Sequence, residues 1–183
     1  MYEAVHAAPD GDTPVAEFVE TAAEYGYGGV VVHGGTNALN RFAVEQPAVD
    51  VLAHPMTGDG DVNHVLAKTA AENGVRLELS LRPVLRAEGG ERVRALRDLR
   101  KLRELVSEFD APYVVSADPR SHLQLRAPRE LVALGDVVDI GREAAEAGLA
   151  EWGALAERNR HRASDAFVEP GVTLRDADDE GNQ

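Results

Sequence analysis

A short basic stretch stands out in an otherwise acidic chain. Residues 92–103 hold six basic residues and one acidic residue, whereas the whole 183-residue chain has a formal net charge of −13. Apolar residues recur there at intervals of three and four, which predicts an amphipathic helix with Arg97, Arg100 and Lys101 on its exposed face. Because the arginine guanidinium donates hydrogen bonds in a planar fork that matches phosphate oxygens, this face predicts contacts with phosphate.

The same helix has a second interpretation, and the stretch alone does not decide between the two. Its cations can form a solvated surface in which each arginine pairs with a nearby carboxylate. The carboxylates within reach on the same helix are those of Asp98, Glu104 and Glu108.

The overall charge balance does not decide between these interpretations. Acidic residues outnumber basic ones by 32 to 19, and only two of the basic residues are lysine. Such a composition is typical of proteins adapted to molar salt, as in haloarchaea. At about 1 M salt the Debye length is roughly 3 Å, so only local contacts count. The acidic balance therefore does not exclude a nucleic-acid partner.

Length and composition set further bounds. A chain of 183 residues fits one domain with a sizeable core, and we expect it at residues 1–165, followed by an acidic, disordered tail at residues 166–183. The chain has no cysteine, which excludes disulfides and thiolate metal sites. No stretch approaches the roughly 18 apolar residues of a membrane span, and no secretory signal opens the chain. The expected location is cytoplasmic, without a membrane partner.

Strand and helix patterns alternate along the chain. Strands are predicted at residues 2–7, 29–33, 49–54, 75–81 and 113–116, and the intervening segments carry helical patterns, beginning with one at residues 14–25. This alternation predicts an α/β fold of parallel βα units, either an open sheet or a barrel. In both arrangements function belongs at the carboxyl ends of the strands.

Several histidines fall at those predicted strand ends. His6, His54 and Asp118, with His122 nearby, could form a metal cluster, since imidazole nitrogen and carboxylate oxygen suit zinc or manganese. Such a metal could activate water against a phosphate ester, which would make the chain a metal-dependent phosphoesterase. The alternative is that each histidine is a satisfied polar residue at the mouth of the sheet.

Five segments together resemble the archaeal ribonuclease P protein component 3 family. They are VDVLAHP at 49–55, DVNHVLAK at 61–68, LSLRP at 79–83, VSAD at 115–118 and LRAPREL at 125–131, with the basic helix between the third and the fourth. The resemblance covers roughly residues 2–160 and is most specific between residues 49 and 135.

The resemblance implies a TIM-like barrel related to PHP phosphoesterases and a protein subunit of ribonuclease P. That ribonucleoprotein removes the 5' leader from precursor tRNA. The resemblance implies that the RNA subunit performs the hydrolysis with its own Mg²⁺, and that the protein binds and stabilises this RNA together with protein component 2 and other subunits. No catalytic residue and no cofactor is then expected on this chain.

Two departures from the PHP pattern bear on this expectation. PHP enzymes open with an HxH pair, but His6 is followed by two alanines, and they close with Asp-x-His, where this chain has Asp118 followed by Pro119 and Arg120. Losing a ligand at both ends argues against a multi-metal site. The chain also runs directly from Gly-Gly-Val-Val-Val at 28–32 into His-Gly-Gly at 33–35, where the family is expected to have one or two further βα units. The barrel is therefore predicted to be shortened.

The resemblance also implies that individual residues of this chain contact RNA. Arg82 ends a predicted strand before Pro83, which holds its backbone extended and its side chain out of the strand mouth; the alternative is an ion pair with Glu78. Asp118 is expected to orient arginines. A third hypothesis, a scaffold that binds only proteins, stays open. The predicted RNA-contacting residues are Arg82, Arg86, Arg97, Arg100, Lys101, Arg120 and His122.

Overall fold

Five parallel strands form the main sheet. The structure, a computed structural model, describes residues 4–7, 29–164, 167–169 and 172–173. The strands pair in chain order and all in parallel; they are β1 (Ala4–Ala7), β2 (Gly29–His33), β3 (Val51–Ala53), β4 (Arg76–Ser80) and β5 (Tyr113–Ser116). The five strands predicted from the sequence are confirmed, as is the α/β class.

Six helices accompany the sheet in the described residues. They are α1 (Asn37–Glu45), α2 (His64–Asn73), α3 (Arg82–Arg86), α4 (Gly89–Glu108), α5 (Pro128–Val137) and α6 (Arg142–Arg162), with a 3-10 turn at His122–Gln124. The predicted helix at residues 14–25 lies outside the described residues. None of the described helices is long and apolar enough to cross a membrane.

Sequential parallel pairing is the strand order of a TIM-type barrel. Within the described residues, β1 pairs only with β2 and β5 only with β4, so these five strands form an open segment of such an arrangement. In the described residues, the crossovers from β2 to β3, from β3 to β4 and from β4 to β5 pass through helices α1, α2 and α4 on one side of the sheet. All the carboxyl ends therefore meet at one edge.

The two faces of the sheet are packed differently. Because side chains alternate along a strand, Leu77 and Leu79 point to one face while Arg76 and Glu78 point to the other. The outer face packs under helices α1, α2, α4 and α5 and forms the main apolar core. Its fully or nearly fully buried strand residues are Val30, Val32, Leu52, Leu77, Leu79 and Val115.

Helix α6 covers part of the inner face. Its Leu155 and Trp152 pack against Val31, Val51 and Val114. The Trp152 indole Nε1 donates to the Val115 carbonyl at 3.0 Å, which fixes this helix to the sheet.

Polar contacts hold α6 to the amino-terminal ends of the strands. The carboxylate of Asp50 accepts from the Val30 amide and the Asn159 side chain, each at 2.8 Å, and pairs with Arg158. Arg76 forms an ion pair with Glu151 of α6 at 2.8 Å. The helix therefore occupies the amino-terminal half of the inner face and leaves the carboxyl-terminal half to polar side chains.

The predicted tail contains a small region of regular structure. Strand β6 (Phe167–Glu169) pairs antiparallel with β7 (Val172–Thr173). Aromatic and β-branched residues on either side of Pro170-Gly171 favour a hairpin, a signal that the acidic composition of the segment obscures. The domain boundary at residue 165 and the disorder of the tail at residues 166–183 stay predictions.

Candidate functional site

A polar cluster lies at the carboxyl ends of the strands. His54 follows β3, Glu78 lies in β4, Ser116 ends β5, and Asp118 follows it. The imidazole ring of His33, at the end of β2, lies 5.1 Å from that of His54 between centroids. We call His54, Glu78, Arg82, Ser116 and Asp118 the mouth cluster.

Glu78 is the centre of the mouth cluster. Its side chain is only 5% exposed, and both carboxylate oxygens are used. One oxygen accepts from the backbone amide of His54 at 2.8 Å and faces His54 Nδ1 at 2.9 Å, while the other accepts from the Ser116 hydroxyl at 2.5 Å. His54 has a φ of 52°, a left-handed conformation that a non-glycine residue adopts at a cost. The double contact with Glu78 holds it there.

The same contacts shift the pKa values of both groups. The hydrogen bond to Glu78 raises the pKa of His54 above its ordinary value, against the opposing effect of burial. Burial alone would raise the pKa of Glu78, but the hydrogen bond and charge of His54, with the Ser116 hydroxyl, hold that pKa below its ordinary value. The pair is therefore stabilised as a carboxylate beside an imidazolium.

Arg82 turns inward rather than out of the strand mouth. It begins helix α3, so the predicted extended conformation is wrong: Pro83 is tolerated in a first helical turn, where its missing N–H has no partner to lose. Arg82 Nη1 donates to the Asp118 carbonyl and to Gln124 Oε1, each at 2.9 Å. Its nearest carboxylate is Asp118, at 3.6 Å, and not Glu78 as in the alternative. Asp118 thus lies where it can orient Arg82.

The mouth cluster does not converge on one metal position. The imidazole of His54 lies between two carboxylates, with Nδ1 at 2.9 Å from Glu78 and Nε2 at 3.7 Å from Asp118. Its nitrogens face opposite ways, so the three groups share no common point for an ion. In the described part of the chain no group of three or more histidine, aspartate or glutamate residues could hold a metal. The side chain of His6 lies outside the described residues.

A second charged region lies on the outer surface of helix α4. Leu99, Leu102 and Val106 are its buried residues, as the periodicity predicts. The side chains on the opposite side remain largely open to solvent: Arg97 is 73% exposed, Arg100 48% and Lys101 43%. We call these three residues the outer basic face.

Each cation of the outer basic face has a carboxylate partner. Arg97 pairs with Asp98 at 2.9 Å, as predicted. Arg100 reaches Asp139, between α5 and α6, at 2.7 Å, and Lys101 reaches Asp61, before α2, at 2.6 Å. The latter two partners replace the predicted Glu104 and Glu108. An exposed pair of this kind contributes about 0–1 kcal/mol, so a phosphate could replace the carboxylate at little cost.

The remaining predicted residues lie on other segments. Arg86 is exposed in the last turn of α3, and Arg120 and His122 are exposed in the loop of residues 119–127 that follows β5. Gln124 Oε1 accepts from both Arg82 Nη1 and the Arg120 backbone amide. The structure thus brings Arg82 and Arg120 together through Gln124.

Sequence reasoning missed the organising role of Glu78 and Gln124. The alternation of residues 75–81 does place Glu78 on the same face as Arg76 and Ser80, and an acidic residue in the middle of a buried strand is a signal for a polar cluster. No local pattern marks Gln124, because its partner Arg82 lies 42 residues away.

Comparisons with known proteins point to one family. The sequence model described as "RNase P subunit p30" matches residues 26–164. "Ribonuclease P protein component 3" of Natronomonas pharaonis is 50% identical over 233 residues, covering 98% of each chain. The protein of the same name from Haloarcula marismortui is 47% identical over 233 residues, covering 98% of this chain and 99% of the relative.

A solved structure agrees with these relatives. A chain of an archaeal ribonuclease P with mature tRNA, determined by cryo-EM, superposes with a TM-score of 0.84 and 26% identity. The match covers 98% of this chain and 78% of that one. Both haloarchaeal alignments span 233 positions although this chain has 183 residues, so each relative contains residues without a counterpart here. The length difference agrees with the predicted shortening of the barrel.

Proposed function

The chain belongs to the RNase P subunit p30 family, and from this premise we propose that it is a protein subunit of ribonuclease P. In this role it binds and stabilises the catalytic RNA, which removes the 5' leader from precursor tRNA. The family assignment favours this function over the alternative of a metal-dependent phosphoesterase.

The observation that carries the proposed RNA contact is the outer basic face. Three cations lie exposed on one helix of a chain whose net charge is −13. Arginine and lysine there can exchange their carboxylate partners for phosphate oxygens. Arg86 is also exposed and belongs to the same proposal, whereas Arg82 acts by holding the strand-end loops in place.

Contacts of this kind recognise the shape of the RNA rather than its sequence. Phosphate contacts set position and orientation, and base edges in an RNA helix lie in a deep, narrow groove. Aromatic residues make up only 5% of the chain, which leaves few platforms for stacking unpaired bases. The protein therefore contributes cations to a folded RNA surface.

The chemistry in this proposal belongs to the RNA subunit with its own Mg²⁺, and this chain needs no cofactor. The carboxylate and imidazole of the mouth cluster are bound to each other and serve the fold. Protein component 2 and the other protein subunits are the proposed protein partners, and the proposed location is the cytoplasm.

A binding experiment with matched variants tests the role of the outer basic face. The affinity of ribonuclease P RNA for the set of protein subunits is measured in high salt with the wild-type chain and with an Arg97→Glu, Arg100→Glu, Lys101→Glu triple variant. We expect the triple variant to weaken binding at least about tenfold and to lower the salt dependence, because three phosphate contacts become repulsive.

The matched control reverses the same number of cations elsewhere. Arg41, Lys68 and Arg142 are exposed, and each pairs with one carboxylate, Glu45, Glu72 and Asp136 respectively. Changing these three cations to glutamate should leave the affinity for RNA near that of the wild type. Equal losses in the two triple variants would mean that net charge, and not the outer basic face, governs binding.

A further inference from the structure

The loop of residues 119–127 exposes two large apolar side chains at the carboxyl-terminal edge of the sheet. Leu123 is 77% exposed and Leu125 62% exposed. Burying a leucine side chain is favourable, so two leucines left in water in one short loop need a reason.

Hydrogen bonds to Gln124 fix the conformation of this loop, so the exposure of the two leucines follows from its structure. Gln124, between the two leucines, points inward and accepts from Arg82 Nη1 at 2.9 Å and from the Arg120 amide at 3.0 Å. The backbone N–H of Gln124 donates to the Ser121 carbonyl at 3.0 Å, within the 3-10 turn. With Gln124 fixed inward, its two neighbours are presented outward.

The charge around the two leucines is opposite to that of the chain as a whole. Residues 119–129 contain Arg120, His122, Arg126 and Arg129 and no acidic residue, in a chain of net charge −13. The neighbouring Glu130 is used locally, because its carboxylate accepts from the Ala127 amide at 3.0 Å. The loop therefore complements a surface that is both apolar and acidic.

This combination favours a protein over RNA as the partner. RNA offers phosphates to the cations but no aliphatic pocket for a leucine, and residues 119–129 contain no phenylalanine, tyrosine or tryptophan on which a base could stack. Resting on the proposed function, we infer that residues 119–127 dock another protein subunit of the ribonuclease P assembly. The partner surface has an apolar pocket for Leu123 and Leu125 and carboxylates at its rim.

The test uses the complete chain and the other recombinant protein subunits, without RNA. Their association is measured by biolayer interferometry and analytical ultracentrifugation for the wild type and for a Leu123→Ser, Leu125→Ser double variant. We expect the double variant to weaken association at least about tenfold, since buried apolar anchors dominate protein interfaces. A Val65→Ser, Val137→Ser control changes two similarly exposed residues of other segments and should associate like the wild type.

Three further measurements identify the occupant of the loop. The thermal midpoint of the isolated double variant should equal that of the wild type; a clear decrease would mean that a segment of this same chain covers the leucines. Loss of a wild-type self-dimer in the double variant would mean that the occupant is a second copy. Weaker RNA binding with unchanged protein association would assign the loop to RNA. Each of these results overturns the inference.

Failure of the inference is distinguishable from failure of the proposed function. If the wild-type chain supports precursor-tRNA cleavage in the reconstituted enzyme while the double variant associates normally with the protein subunits, only the docking inference is wrong. If the wild-type chain neither associates with the subunits nor affects cleavage, the proposed function is wrong as well.

Discussion

The mouth cluster and the outer basic face both concentrate ionisable residues, but they use them in opposite ways. In the mouth cluster the groups are mostly shielded from water and bound to one another: Glu78 is 5% exposed and holds His54 and Ser116. On the outer basic face each cation has a single carboxylate partner, half-buried for Arg97 and exposed for the other two, and keeps much of its surface in water. The charges of the mouth cluster therefore maintain the fold, whereas the cations of the outer basic face remain accessible to a ligand.

The position in the fold accounts for this difference. The mouth cluster lies where strand ends meet, so an unsatisfied charge there would lie in a low-dielectric environment and must be compensated internally. Helix α4 lies outside the sheet, and no further layer of the described residues covers its outward side. A cation on this side loses little when its partner is exchanged.

Removing Glu78 should break the mouth cluster most severely. A Glu78→Ala variant leaves His54 and Ser116 without their acceptor, and we expect it to lower the free energy of unfolding by about 3–5 kcal/mol. Chemical denaturation in molar salt measures this loss. Glu72→Ala, which removes an exposed carboxylate paired with Lys68 at 3.9 Å, is the control and should change stability by no more than about 0.5 kcal/mol. Equal effects of the two substitutions would show that the buried carboxylate of Glu78 contributes no more to stability than an exposed one.

Arg82 should behave as part of the fold although it was predicted to contact RNA. An Arg82→Met variant removes the donor to the Asp118 carbonyl and to Gln124. We expect a loss of about 1.5–3 kcal/mol in the free energy of unfolding, with an unchanged salt dependence of RNA binding by the folded protein. A lower salt dependence without loss of stability would instead place Arg82 on the RNA surface.

The mouth cluster should also make stability depend on pH. The raised pKa of His54 means that its stabilisation is fully present below the ordinary value of 6.5 and is lost as pH rises through the folded-state pKa. The lowered pKa of Glu78 means that its stabilisation is present above the ordinary value of 4.5 and is lost as pH falls through its folded-state pKa. The contribution of the pair is therefore largest between these two values.

A His54→Gln variant isolates the alkaline side of this dependence. Above pH 6.5 the free energy of unfolding should decrease with pH in the wild type and decrease less in the variant. His122→Gln, which changes an exposed histidine of the loop after β5, should keep the wild-type profile. Identical profiles for the wild type and His54→Gln would show that the Glu78–His54 pair does not set the pH dependence.

Single changes on the outer basic face should have the smallest effect on the isolated chain. Arg97→Gln should change the free energy of unfolding by less than about 0.5 kcal/mol, because an exposed pair contributes little. The same change should reduce the salt slope of RNA binding by about one. A titration of RNA binding against salt concentration measures the slope, and Arg41→Gln serves as the control with an unchanged slope.

The fold was predictable because its signals are local. Strict alternation at residues 75–81 marks β4, and the cap Asn63 and the terminating Gly74 mark the ends of α2. The same holds for the exposure of Arg97, which follows from helical periodicity alone. The hairpin of β6 and β7 has a weaker signal, because its two short strands lie within the acidic residues 166–183.

The partners of the charged residues were not predictable in this way. Lys101 and Asp61 are 40 residues apart, and Arg82 and Gln124 are 42 residues apart. Such pairs form only after the βα units have packed side by side, and no sequence period specifies them. The sequence thus indicated which side chains are charged and where the strand ends lie, while packing determined which charges neutralise one another.

The proposed function is tested most directly by precursor-tRNA cleavage with reconstituted ribonuclease P in high salt. The enzyme is assembled from its RNA and the other protein subunits with no added chain, with the wild-type chain, with the Arg97→Glu, Arg100→Glu, Lys101→Glu variant, or with the control variant carrying glutamate at positions 41, 68 and 142. We expect that cleavage depends on the wild-type chain, fails with the charge-reversed outer basic face and survives in the control. Full cleavage with the charge-reversed face, or with no chain at all, would contradict the proposed function.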